Sequence, residues 1–229
     1  LKADAYPRVQ LRWNPAYRVI PTRHPAVNVF DRVASPEDFE ALYALESLTN
    51  DRLRNEVGDV ELVPPAERVY GPGSGPIMAA FTHLNPEGSR FSDGRYGVFY
   101  CARDADTAIA ETVYHSARFM AATREPAMRL QMRLYTVKAS GRVADLRKLA
   151  GIEPALFDPD DYRHAQGLGR QLREQGCEGI AYPSVRRAKG LCLAAFRPRL
   201  LSNCIHSAYL EYHWNGERIA GVFQLSQLA

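Results

Sequence analysis

Nowhere in the 229 residues is there an unbroken apolar stretch of the roughly 18 or more that a membrane-spanning helix needs, so no bilayer span is expected. The amino-terminal Leu1-Lys2-Ala3-Asp4 has no apolar core of the secretory kind, and no signal peptide is expected. Cysteine is scarce. Cys101, Cys177, Cys192 and Cys204 form no C-x-x-C pair and stand near no clustered histidines. That disfavours a disulfide framework and a zinc centre alike, and a reducing cytoplasm is the expected compartment. A dominant charge is lacking too: 29 Lys and Arg stand against 26 Asp and Glu, a formal net charge of +3. Such a balance suits an anionic small ligand or an acidic partner and is too weak to argue for nucleic acid. The glycine-rich Gly71-Pro72-Gly73-Ser74-Gly75-Pro76 lacks both the Lys-Ser/Thr of a P-loop and G-x-G-x-x-G spacing, and reads as a mobile connection. Internal repeats are absent, as is the strand–helix alternation of a doubly wound sheet.

What is present is an ordinary soluble composition, 46% hydrophobic and 24% charged, long enough for one well-cored domain. Residues 1–34 are rich in Pro, Arg and aromatics without a clear period and read as an extended arm over the surface. Ser35-Pro36-Glu37-Asp38 is a helix start, with Ser as cap, Pro at the first position and acids in the first turn. Phe39, Leu42, Tyr43 and Leu48 continue it at helical spacing to about Arg54. Arg68-Val69-Tyr70 reads as a strand. Met128 to Lys138 alternates as a half-buried strand, with Val143 to Leu146 as its neighbour. A helix over 161–175 is stopped by Gly176, and short apolar strands follow at Gly179–Tyr182 and Leu191–Phe196. Asn215-Gly216 between Tyr209–Trp214 and Arg218–Gln224 is a hairpin signal. The sum is an α+β domain of mixed, short-stranded sheet with packed helices.

Ser89 to Glu111 is the most informative stretch. It reads as a loop, a buried strand from Val98 to Ala102, and a helix capped by Asp104. A cation (Arg90), an aromatic hydroxyl (Tyr100) and a carboxylate (Glu111) fall on three successive elements, an arrangement that suits an anionic, aromatic ligand. Each has an ordinary reading beside that one: an isolated Glu or Arg is usually solvated, and a Tyr on an apolar strand is usually core.

Five segments in order resemble the RES-domain toxins of bacterial toxin–antitoxin pairs, named for an Arg, a Glu and a Ser. They are Arg68-Val69-Tyr70, Gly88 to Ser92, Phe99 to Glu111, Gly179 to Arg186, and Leu191 to Phe196. The resemblance places a catalytic domain over 66–229, leaving 1–65 as an arm and helix packed on it. It implies a fold similar to bacterial ADP-ribosyltransferase toxins and consumption of NAD+ as substrate, with no metal. It assigns Glu111, Arg90 and Tyr100 to catalysis, and Arg68, Tyr70, Arg90, Tyr100 and Ser184 to the dinucleotide. A helix-turn-helix antitoxin of the Xre type is the implied partner. The implied acceptor of ADP-ribose is a protein, such as ribose-phosphate pyrophosphokinase, or else phosphate or water.

In that frame Glu111 would stabilise an oxocarbenium-like ribose, and Arg90 and Arg68 would take the pyrophosphate in two-point fashion. Tyr100, and with less support Tyr70, would stack on nicotinamide or donate to a ribose hydroxyl. Ser184 would bond the ligand or Glu111; without a G-x-S-x-G elbow it is a poor nucleophile. His115 shares the Glu111 face of the helix and is left outside the set of site residues. Two other classes stay open: a basic RNA-targeting toxin, prompted by Arg186, Arg187 and Lys189, and a catalytically inactive module that binds its antitoxin through the amino-terminal helix.

Overall fold

The computed structural model describes residues 6–24, 29–33, 35–47 and 57–226. Seven strands, β1 (Arg8–Pro21), β2 (Phe99–Ala102), β3 (Met128–Asp145), β4 (Gly179–Pro183), β5 (Leu191–Ala195), β6 (Leu201–Trp214) and β7 (Ile219–Leu225), form one mixed sheet. Their order is β1-β2-β5-β4-β3-β6-β7, and β1 also pairs with β3, so the first five strands of that order close into a ring. Helices cover both faces: α1 (Val29–Arg32), α2 (Pro36–Ser47) and α3 (Gly75–Thr82) on one, α4 (Ala105–Ala122) and α5 (Arg163–Glu174) on the other.

The period-two geometry of strands sorts side chains between these faces. Phe99, Cys101, Ala181, Leu193 and Ala195 point to the α1–α3 side, where they pack with Phe30, Phe39, Ile77 and Phe81. Tyr100, Ala102, Ile180, Tyr182, Cys192 and Ala194 point to the α4–α5 side, against Ala108, Leu168 and Leu172. The sheet thus divides the molecule into two cores, and the chemistry has to lie on one of them.

Four expectations are corrected. Residues 8–21 are no surface arm but a strand paired along most of its length with β3, burying Leu11, Trp13 and Ala16. Alternation is broken at Asn14-Pro15, where the register shifts between Trp13 and Ala16, so no period could be read. A proline without an N–H is tolerated at such an irregularity. Met128 to Lys138 and Val143 to Asp145 are one strand rather than neighbours. Gly141 between them looks like a break but answers a close approach, since a Cβ there would run into the Leu200 side chain and the Glu178 carboxylate. Arg68-Val69-Tyr70 is not a strand, and the supposed mobile loop before residue 76 runs straight into α3, which has Pro76 in its first turn.

The helix starts follow the capping chemistry. Ser35 Oγ accepts from the Asp38 amide at 3.1 Å, and Asp104 accepts from the Thr107 amide at 2.8 Å. Beyond Ser47 the expected run of α2 to Arg54 lies outside the described residues. α5 ends at Gly176, whose φ of +74° suits glycine, and the β6–β7 hairpin turns on Gly216 with φ +99°.

Candidate active site

Glu111 lies in the second turn of α4, on the side that faces β4 and β5. The loop after β4 brings Ser184 to it: Ser184 Oγ donates to Glu111 Oε1 at 2.6 Å, the length of a charge-assisted bond. The direction of that bond follows from counting. Ser184 Oγ already accepts from the amides of Arg186 (3.1 Å) and Arg187 (3.0 Å), which fill its two lone pairs and leave its single proton for the carboxylate. The hydroxyl is therefore a strut for Glu111 and has no lone pair left for nucleophilic attack. Gly190 keeps the strut close, because a Cβ there would press on Thr107 Oγ1 and Ser184 Cβ.

Two residues not anticipated complete the floor. Cys192, on β5, sets its Sγ 3.8 Å from Glu111 Oε1, and Tyr182, on β4, lies directly across from it in register. Burial, with Glu111 beside it, raises the Cys192 thiol well above its ordinary value, so it is a neutral thiol and not a thiolate nucleophile. Burial likewise keeps the Tyr182 phenol protonated. The signal was parity: Tyr182 and Ser184 are two apart and share a strand face.

Arg90 is buried, with 7% of its surface exposed. Its Nη1 donates to the carbonyls of Leu156 (3.2 Å) and Asp158 (2.9 Å), and its guanidinium lies over the Tyr162 ring at 4.5 Å. Among the described residues no carboxylate pairs with it, an unusual state for a buried cation. Tyr100 turns its hydroxyl to the same loop: it accepts from the Phe91 amide at 3.0 Å and bonds Ser89 Oγ at 2.8 Å. Burial pushes this phenol up to about 12, so it stays an O–H at neutral pH. Phe91 in turn meets the Tyr182 ring edge-on at 5.0 Å, which ties the Arg90 loop to the Glu111 floor. The Tyr100 hydroxyl thus holds both sequence neighbours of Arg90.

Arg68 and Tyr70 are not brought to this cluster. Tyr70 packs with Phe30 and Phe39 on the opposite face of the sheet. Arg68, with 9% exposed, uses Nε on the Val63 carbonyl, Nη1 on Glu40 (2.6 Å) and Nη2 on the Val60 carbonyl. Its three nitrogens tie the segment before it to α2, on the other side of the sheet from Glu111. His115 is exposed, its ring edge-on to Tyr114 at 5.3 Å. A separate hollow lined by Leu62, Glu67, Phe81, Tyr96, Arg173 and Phe196 contains none of Arg90, Tyr100, Glu111 or Ser184.

Arg90, Glu111 and Ser184, an Arg, a Glu and a Ser from three separate parts of the chain, thus sit on one face of the sheet around Tyr182. The RES domain model matches residues 65–215, about two thirds of the chain. The chain belongs to the RES-domain family. Over 206 residues it is 35% identical to the uncharacterized protein y4oC of Sinorhizobium fredii, covering 89% of this chain and 84% of that protein. A chain of the M. tuberculosis MbcT–MbcA toxin–antitoxin complex aligns with a TM-score of 0.48 at 16% identity, covering 94% of this chain and 91% of that one. The amino-terminal β1 lies outside the residues matched by the RES model yet inside the sheet.

Proposed function

We infer that this RES-domain protein is the toxin of a bacterial toxin–antitoxin pair and consumes NAD+, cleaving the nicotinamide–ribose bond and transferring ADP-ribose to a protein acceptor, with ribose-phosphate pyrophosphokinase as the candidate. The observation that carries the reading is the pairing of a pre-oriented carboxylate, Glu111 held by Ser184, with a buried guanidinium, Arg90, that has no counter-ion among the described residues. Departure of nicotinamide leaves positive charge on the ribose, and a carboxylate fixed beforehand stabilises that charge without reorganising. Arg90 would take the phosphates at the other end of the ligand, where remote binding energy holds the ribose against Glu111. Tyr100 acts through Arg90 by fixing its loop. Cys192 and Tyr182, both held protonated by burial, add no charge to the floor beside Glu111.

The partner is an antitoxin, for which an Xre-type helix-turn-helix protein is the proposed class, and the site of action is the cytoplasm. Direct RNA binding is less favoured by the arrangement of the basic run: Arg187 is bound to Asp104 at 2.5 Å and Asp106 at 2.8 Å.

The test is release of nicotinamide from NAD+ by the purified chain, freed of any antitoxin, with cytoplasmic proteins present. Release is expected, and Glu111→Ala should slow it by about 100- to 1,000-fold, as loss of a preorganised electrostatic group does. Absence of release from the unsubstituted chain, with acceptors supplied, overturns the reading. With labelled NAD+, label on protein supports transfer to a protein acceptor, whereas label found only as free ADP-ribose or its phosphate ester assigns water or phosphate instead.

A further inference from the structure

A second cation shares the situation of Arg90. The Arg186 guanidinium lies over the Tyr114 ring, its Cζ 3.3 Å from the centroid, and its Nη2 donates to the Pro159 carbonyl. Its Nε is buried with no acceptor, and among the described residues no carboxylate pairs with it. Its sequence neighbour Arg187, by contrast, is paired with Asp104 and Asp106.

The two unpaired guanidiniums hold adjacent points of one loop. Arg90 donates to the carbonyl of Asp158 and Arg186 to that of Pro159, the next residue. Successive carbonyls are a few ångströms apart, so the two forks lie within roughly 10 Å of each other. Each has an aromatic ring on one side, Tyr162 by Arg90 and Tyr114 by Arg186, which restrains the guanidinium. Tyr114 and Glu111 are three apart on α4 and share a helix face, so Arg186 lies one turn along from the carboxylate. Holding a loop requires only neutral donors. Arg90 is buried, Arg186 is half-buried with its Nε enclosed, and neither makes an ion pair with a carboxylate among the described residues, so a bound dianion would offset part of the cost of desolvating them.

We propose that Arg186 is the second arm of a diphosphate clamp, gripping one phosphate of the dinucleotide while Arg90 grips the other, with the loop of residues 156–162 as the spacer between them. The proposal rests on the NAD+ reading above and assigns to Arg186 the place that Arg68, on the opposite face, does not fill. It also links the two ends of the ligand through one residue, because the Arg186 amide holds Ser184, and Ser184 holds Glu111. The amide survives a side-chain change, which separates the two roles.

The experiment compares the unsubstituted chain with Arg186→Gln and Arg186→Lys in nicotinamide release, with inorganic pyrophosphate as competitor. Expected for Arg186→Gln is a rise in KM for NAD+ of about 10- to 100-fold, with kcat within a few-fold and a matching loss of inhibition by pyrophosphate. Arg186→Lys, which keeps the charge and loses the fork, should fall between. Unchanged KM and unchanged pyrophosphate inhibition in either soluble variant overturn the clamp while leaving the NAD+ reading intact. A fall in kcat alone overturns it too, and makes Arg186 a support for Ser184. No nicotinamide release from the unsubstituted chain removes the NAD+ reading and the clamp with it.

Discussion

Ser184 is small, and its effect should be disproportionate. Its oxygen satisfies two amides and its proton orients the carboxylate, so Ser184→Ala removes three hydrogen bonds at once. A bond to a charged group contributes about 1.5–3 kcal/mol, which predicts a loss of nicotinamide release of about 10- to 100-fold. That is smaller than the loss for Glu111→Ala, because a mobile carboxylate still neutralises developing charge. Steady-state kinetics on both variants checks the ranking; equal losses would mean that Ser184 acts on the ligand itself. The same scale shows how residue type can mislead. Arg68 and Arg90 are both buried arginines held by backbone carbonyls, but only Arg68 has a carboxylate, Glu40, and only Arg90 faces Glu111's side of the sheet. Residue identity and spacing carry no information about which face of a sheet that has not yet been assembled a loop will reach.

Among the elements, α5 determines how closely the Arg90 loop can lie, and two of its glycines separate two effects. Gly167 has no neighbour within 4 Å of where a Cβ would be, so Gly167→Ala should gain ordinary helix propensity, about 0.5–1 kcal/mol. Gly169 faces the Phe91 carbonyl and side chain so closely that a Cβ would clash, and backbone has to move. Overpacking of this kind costs about 1–3 kcal/mol, more than the propensity gain, so Gly169→Ala should lower the melting temperature. It should also cut activity, since the displaced residue is Arg90's neighbour. Thermal melts of the two variants should move in opposite directions. Elements whose signals are local were legible in the sequence: Ser35 and Asp104 mark helix starts, Gly176 a stop, and Asn215-Gly216 a hairpin. β1 was not, because the Asn14-Pro15 irregularity erases its period and its partner β3 is more than a hundred residues away. The candidate site divides in the same way. Arg90, Tyr100, Glu111 and Ser184 were named through resemblance, whereas Tyr182, which shares a strand face with Ser184, was not anticipated. The carbonyls that hold Arg90 and the ring beneath it come from residues 156–162, which only the folded chain brings near.

For the whole molecule, the closed ring makes the family-matched residues incomplete as a folding unit. β1 pairs with β3 from Arg8 to Pro21 and with β2 at Tyr17, so a chain cut to residues 65–215 would expose one edge of each and the apolar surface under Trp13. Such a fragment is expected to aggregate, and circular dichroism of the soluble fraction checks this. The intact fold should have its own limit at high pH. Burial pushes the Cys101 and Cys204 thiols up to about 12 from near 9, and the Tyr100 and Tyr212 phenols up to about 12 from near 10. The sign follows from proton counting: above its ordinary value each group ionises in the unfolded chain while the folded chain still holds the proton. Raising the pH therefore favours unfolding. The stabilisation is complete below about pH 9 and drains away towards 12, at up to about 1.4 kcal/mol per pH unit for each group. Melting temperatures measured from pH 7 to 11 should be level at first and fall increasingly steeply beyond 9. In Tyr212→Phe, which keeps the ring and removes one titrating hydroxyl, the fall above pH 10 should be shallower. A melting temperature that held level to pH 11 would place these four groups in contact with water, and with them the sheet that separates the two cores.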